Sequence, residues 1–161
     1  MENIVEHILF YGKSRPYFCF SNWYPARFKC KDGKIWPTSE HYYMSKKTND
    51  PDHKEAIRTA NTPKKAKELA GPEGIITLVE NWEEIKFDVM CEAIYLKFSQ
   101  NDDIRLELIS TRDASLHEDC PDKVWGGGPN YPDGQDLLGK ALMVVRARLI
   151  DDVEEKSAGL I

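Results

Sequence analysis

Proline at position 37 divides this chain into two regimes. It follows Trp36, and a residue before proline is pushed out of helical geometry toward an extended one. Upstream lie short apolar runs separated by turn residues. Downstream, from Thr38, apolar residues recur at helical spacing. Glu6 to Tyr11 predicts a short strand, Gly12-Lys13-Ser14-Arg15-Pro16 a turn, and Tyr17 to Phe20 a second extended piece. Ala26 to Cys30 and Ile35-Trp36 flank Lys31-Asp32-Gly33-Lys34, where Asp-Gly between two short runs signals a hairpin.

Thr38 is placed to cap a helix over Ser39 to about Lys47. Two helices follow, Pro51 to Asn61 and Pro63 to Ala70, each with proline in a first-turn position. Asn81-Trp82-Glu83-Glu84 resembles a capping box that opens a helix to about Gln100. Its apolar stripe is Trp82, Ile85, Val89, Ala93 and Leu96. A short helix is expected near Asp102 to Ser110, and a long one from Gln135 to Asp151 carrying Leu138, Leu142, Val145 and Leu149. The layout is α+β: a mainly helical single domain over residues 1–161, its core at about 10–150, with a small N-terminal antiparallel sheet. The charged tail from Glu154 to Ile161 reads as a frayed end.

A length of 161 residues suits one domain with a sizeable core. Aromatics at 11% are too many for a disordered chain. No apolar run approaches the ~18 residues of a bilayer span, and the N-terminus lacks a signal-peptide pattern, so neither a membrane nor a secretory reading is expected. Cys19, Cys30, Cys91 and Cys120 are scattered without metal-ligand spacing, which points to reduced thiols, a cytoplasmic location and no metal or organic cofactor. A net charge of −5 argues against coating nucleic acid through bulk charge. Lys46, Lys47, Lys64, Lys65 and Lys67 could supply a local basic patch, although a solvated helix face is the commoner meaning of such lysines.

Three islands carry chemistry. Phe18-Cys19-Phe20-Ser21-Asn22-Trp23-Tyr24-Pro25 sets aromatics around an amide and a hydroxyl, which suits stacking a flat ring or closing one end of a core. In Trp36-Pro37-Thr38-Ser39-Glu40-His41-Tyr42-Tyr43, Glu40 falls in a helix first turn, where the dipole favours a carboxylate. Tyr43 and Lys47 share its face, so an acid, a phenol and a cation converge; an ordinary helix-start acid with a downstream lysine fits the same spacing. His41 points off that face and reads as structural. The third island, Asp122 through Trp125-Gly126-Gly127-Gly128-Pro129-Asn130, leads into the last helix. Its glycines suit either a phosphate approach or a plain surface loop.

Taken in order, Phe20-Ser21-Asn22-Trp23, Trp36-Pro37-Thr38-Ser39-Glu40-His41-Tyr42, Asn81-Trp82, Asp122 with Trp125-Gly126, and Leu138-Gly139 resemble the NADAR superfamily, YbiA-like proteins included. The resemblance covers roughly Phe10 to Leu149. It implies an N-glycosidase that cleaves between a ribose carbon and a base-type nitrogen. The implied substrates are ADP-ribose on guanine, including in DNA, or phosphoribosylamino-pyrimidine intermediates of riboflavin synthesis. By motif position the essential acid falls on Glu40, an aromatic on Trp82 and a second acid on Asp122, with Asp119 or Glu118 as alternatives. Gly127 stands where the family pattern has an acid. Asn22, Trp23, Tyr43, Lys47, Trp125 and Gly126 are the expected substrate contacts. The expected partner is ADP-ribosylated nucleic acid or a small ribosyl-phosphate metabolite; a pocket that binds ADP-ribose without cutting it is the other reading.

Overall fold

A computed structural model describes residues 4–159. In chain order its elements are β1 (His7–Phe10), a 3-10 turn (Phe18–Phe20), β2 (Phe28–Lys29), β3 (Ile35–Trp36), α1 (Ser39–Ser45), α2 (Pro51–Arg58), α3 (Pro63–Leu69), α4 (Trp82–Ser99), α5 (Asp102–Ser110), β4 (Ser115–Glu118) and α6 (Leu137–Ser157). The fold is α+β and mainly helical, as expected. The chain divides into two compact units, one formed by residues up to Ser21 and from Asp102 onward, the other by Asn22–Asn101. None of the described helices is long and apolar enough to cross a membrane.

In the Asn22–Asn101 unit the hairpin forms where Asp32-Gly33 predicts it. Phe28 lies opposite Trp36 and Lys29 opposite Ile35 in antiparallel register. Gly33 sits at φ 85°, which glycine reaches without Cβ strain. Phe28, Trp36, Tyr42 and Ala93 make one buried cluster, the Trp36 and Tyr42 rings meeting edge to face at 5.1 Å. Helix starts follow the capping residues. The Thr38 side chain accepts from the His41 N–H, Asp50 from those of Asp52 and His53, and Thr62 from that of Lys65, each worth about 1 kcal/mol. Asn81 differs: it precedes α4 but gives the helix no side-chain bond, so the capping box does not form. On α4 the burial also departs from one stripe. Trp82, Val89 and Ala93 are buried as expected and Ile85 and Leu96 only partly, while Met90, Ile94, Lys97 and Phe98 are buried too.

In the other unit β1 pairs with β4 in parallel, His7 opposite Ser115 through Phe10 opposite Glu118. This second small sheet was not expected, because Ser-Leu-His-Glu lacks a strand pattern and its partner is about a hundred residues away. Tyr17 to Phe20 is not extended but turns: the Phe20 N–H reaches the Tyr17 carbonyl at 2.9 Å, with Tyr17 left-handed at φ 61°. That turn buries Phe20 edge-on against Phe10, centroids 5.8 Å apart. On α6, Leu138, Leu142, Val145 and Leu149 are buried, as the spacing predicts, and each contributes about 1.5–3 kcal/mol. A Cβ on Gly139 would stand 1.9 Å from the Leu116 carbonyl oxygen, so only glycine lets α6 lie this close to β4. The helix continues to Ser157, past the expected Asp151. Glu154 to Ser157, expected to fray, are therefore helical, and Leu160 and Ile161 lie outside the described residues.

Between β4 and α6 sits a polar chain. His117 Nδ1 donates to Asp136 Oδ2 at 2.6 Å, and His117 Nε2 lies 2.9 Å from His7 Nδ1. Asp136 precedes α6 with φ 59°, a left-handed conformation that Asp tolerates better than most residues. Its side chain turns to His117 instead of capping the helix.

Candidate active site

Glu40 is buried, 6% exposed, in the first turn of α1. What places it there is Asn22. The Asn22 carbonyl accepts the Glu40 N–H at 3.1 Å, and its Oδ1 accepts the Ser39 hydroxyl at 2.8 Å. Its Nδ2 donates to the Met90 sulfur at 3.3 Å. The Asn22 carboxamide thus uses one donor and one acceptor within the protein. Neighbouring Trp23 stands 44% exposed.

Around Glu40 the expected face assembles. The Tyr43 and Trp82 rings lie 5.1 Å apart, and Lys47 Nζ sits 5.6 Å from the Trp82 ring centre. Burial pushes the Lys47 ammonium below its ordinary pKa, and the Glu40 carboxylate opposes that shift. An acid, a cation and two aromatic rings therefore share one place. A carboxylate there can stabilise a developing cation, the lysine can hold an anionic group, and the rings can wall a planar one.

His41 takes the structural role expected of it. Its Nε2 donates to the Ala60 carbonyl at 3.0 Å and its Nδ1 meets Thr38 Oγ1 at 2.8 Å. Burial lowers its pKa, against the opposing effect of the Ala60 bond. The unfolded chain therefore takes up this proton first, so the stability contributed by neutral His41 is complete above about pH 6.5 and is lost as pH falls through the lower folded value. Urea midpoints at pH 7.5 and 5.5 should differ more for the native chain than for His41→Gln; an equal drop in both overturns the assignment.

The remaining predicted residues belong to the other unit. Asp122 is exposed, and its Oδ1 accepts the Val124 and Trp125 N–H groups at 2.9 and 3.0 Å. Trp125 is partly buried, while Gly126 and Gly127 are buried. The Asp136 N–H donates to the Gly126 carbonyl at 2.9 Å. Asp119 is engaged otherwise. Its pKa lies below the ordinary range: burial raises it, but the Asn130 bond at 3.0 Å and the Arg15 pair at 2.8 Å outweigh that. Glu118 lies in β4, its carbonyl accepting the N–H groups of Gly127 and Cys120. Sequence reasoning missed the His117–Asp136 pair, for which no local signal exists, since aspartate before a helix reads as a cap.

Other chemistry is limited. The four cysteines are free thiols, and burial pushes Cys91 and Cys120 up to about 11, where thiolate is scarce. Among the described residues no group of three or more His, Cys, Asp or Glu is placed to hold a metal ion.

Known proteins are similar to this chain along most of its length. The N-glycosidase YbiA of Shigella sonnei (strain Ss046) is 37% identical over 152 residues, covering 90% of this chain and 93% of that protein. The NMR structure of the E. coli protein YbiA superposes with a TM-score of 0.82 at 35% identity, covering 95% of this chain and 90% of that one. The chloroplastic riboflavin biosynthesis protein PYRR of Zea mays is 34% identical over 160 residues, which span 91% of this chain but 26% of that protein. A sequence model of the NADAR domain matches residues 9–150, and the chain belongs to the NADAR domain family.

Proposed function

We propose that this NADAR-family N-glycosidase hydrolyses the bond between ribose and a base nitrogen in ADP-ribosyl or phosphoribosyl compounds, with ADP-ribose on guanine bases as its preferred target. The observation that carries the reading is the buried Glu40 carboxylate beside Lys47 and Trp82. Cleavage of an N-glycoside passes through an oxocarbenium-like sugar, so an anion beneath the anomeric carbon lowers the barrier. Glu40 supplies that anion or takes the proton of the attacking water. Water adds its oxygen to the anomeric carbon while the ribose–nitrogen bond breaks and the nitrogen leaves with a proton. Lys47 holds a phosphate of the substrate, and Trp82 and Tyr43 wall the pocket around the reacting ribose. Trp23, Trp125 and Gly126 are kept as substrate contacts by their places in the family motif.

By motif position Asp122 is the second acid, orienting the ribose hydroxyls or assisting the departing nitrogen. Because its carboxylate also caps a turn, charge and cap need separating, and Asn caps as well as Asp. Asp122→Asn should keep the melting temperature within about 1 °C of the native chain while lowering kcat by about 10²-fold. Unchanged turnover in Asp122→Asn would reduce the residue to a turn cap.

The test of the function is mass spectrometry of an oligonucleotide carrying ADP-ribosyl-guanine, incubated with the purified chain. Loss of the ADP-ribose mass supports the preferred target. Turnover of a phosphoribosylamino-pyrimidine alone supports the metabolite reading, which the name of the maize relative favours. Tight binding of ADP-ribose with no turnover of either compound leaves a reader. The free thiols suit a reducing compartment such as the cytoplasm.

A further inference from the structure

Beside the Glu40 cluster, within the same unit, opens a cleft of about 650 Å³. Its walls are the segment from Thr48 into α2 and the segment Thr77 to Asn81. The second wall is tied to the cluster: the Val79 N–H donates to the Lys47 carbonyl at 3.0 Å, and the Trp82 N–H to the Val79 carbonyl at 3.3 Å. The volume lies within the range of small-molecule sites, ~300–1,000 Å³.

Three polar groups on these walls bear on what the cleft can hold. His53 Nδ1 is buried without a hydrogen-bond partner. The Asp50 Oδ2 that faces it is 3.9 Å away, too far for a hydrogen bond. Asn81 sits at the start of an 18-residue helix, in a position where Asn is a favoured cap, yet its carboxamide makes no cap bond. Asp50 spends Oδ1 on the Asp52 and His53 N–H groups, which leaves Oδ2 open. No lysine or arginine lines the cleft, while Asp50 and Glu80 do. A phosphate would meet two carboxylates and no cation there. What the walls offer is acceptors, with amide donors beside them. That set matches the edge of a neutral lactam ring bearing N–H groups and an exocyclic amine, such as guanine or an aminopyrimidinone.

We propose that this cleft is the subsite for the leaving heterocycle, and that Asp50, Asn81 and His53 select a ring with an N–H and exocyclic amine edge. The proposal rests on the N-glycosidase reading for the word "leaving", and the binding it asserts is measurable without turnover. The experiment is an amide-resolved NMR titration of the intact chain with guanosine, with inosine, which lacks only the exocyclic amine, and with inorganic pyrophosphate. Guanosine should shift the signals of Asn49 to His53 and Thr77 to Asn81, and bind about 10-fold tighter than inosine, the usual effect of leaving one carboxylate without its donor. Pyrophosphate should leave those signals in place. Asp50→Asn keeps the helix cap and should erase most of the guanosine preference. Equal binding of guanosine and inosine, pyrophosphate in the cleft, or guanosine shifts confined to residues around Glu40 would each overturn the proposal. Guanosine seated in the cleft of a chain that cleaves nothing upholds the subsite while removing the glycosidase; cleavage without cleft binding does the reverse.

Discussion

Replacing Glu40 by Gln is expected to lower kcat by about 10²–10⁴-fold with little loss of stability. The substitution keeps side-chain volume, removes the negative charge and exchanges one acceptor oxygen for an amide donor. As a helix-start acid that charge is worth under ~1 kcal/mol to folding, whereas beneath a developing oxocarbenium ion in a buried site it acts at short range without solvent screening. The two roles therefore separate cleanly in steady-state kinetics and thermal melts of the same sample. A second readout comes from Lys47. Burial depresses its pKa and the Glu40 carboxylate restrains that depression, so Glu40→Gln should move the Lys47 ammonium still lower. A side-chain NMR titration of Lys47 in both chains reads this directly. A variant that turns over normally while Lys47 shifts downward would confirm the proximity and discard the catalytic role.

The largest effect on stability is expected at His117. His117→Ala should cost about 3 kcal/mol or more, a large share of the 5–15 kcal/mol that holds a domain of this size. The reason is what stays behind. Asp136 is only 12% exposed along its side chain, its Oδ1 already lacks a partner, and Oδ2 takes its 2.6 Å bond from His117. Truncation leaves that carboxylate buried with neither oxygen satisfied. His117→Asn restores a donor near the position of Nδ1 and should recover most of the loss, while His117→Ala with Asp136→Ala should cost much less than the sum of the two single changes. Chemical denaturation of the four variants measures the coupling. Additive losses would mean that the pair contributes through packing alone.

Helix positions were legible in the sequence because their causes are local. Thr38, Asp50 and Thr62 cap where a short polar side chain stands before a helical run, and α6 buries the four residues that its spacing selects. The hairpin followed from Asp32-Gly33. Glu40, Tyr43 and Lys47 were also legible as one face, since i, i+3 and i+7 positions align on any helix. Trp82 came into the cluster only through the family motif, and α4 delivers it there by packing. Asn22 shows the limit of such reasoning. Its residue type suits substrate contact, but Ser39 and Met90 hold its carboxamide, and nothing in its own neighbourhood in the chain predicts either partner.

By itself, the sequence determined the α+β class, the starts of the helices, the acid, phenol and cation on one helix face, and the family to which the chain belongs. Each rests on contacts within a few residues or on motifs read as whole words. Only the tertiary structure decided the parallel pairing of β1 with β4, the turn at Phe18–Phe20, the His117–Asp136 bond and the cleft that Asp50, His53 and Asn81 share. These depend on groups distant in the chain whose meeting is set by how the elements pack. Packing answers to the burial of whole surfaces, and no short window of residues records it.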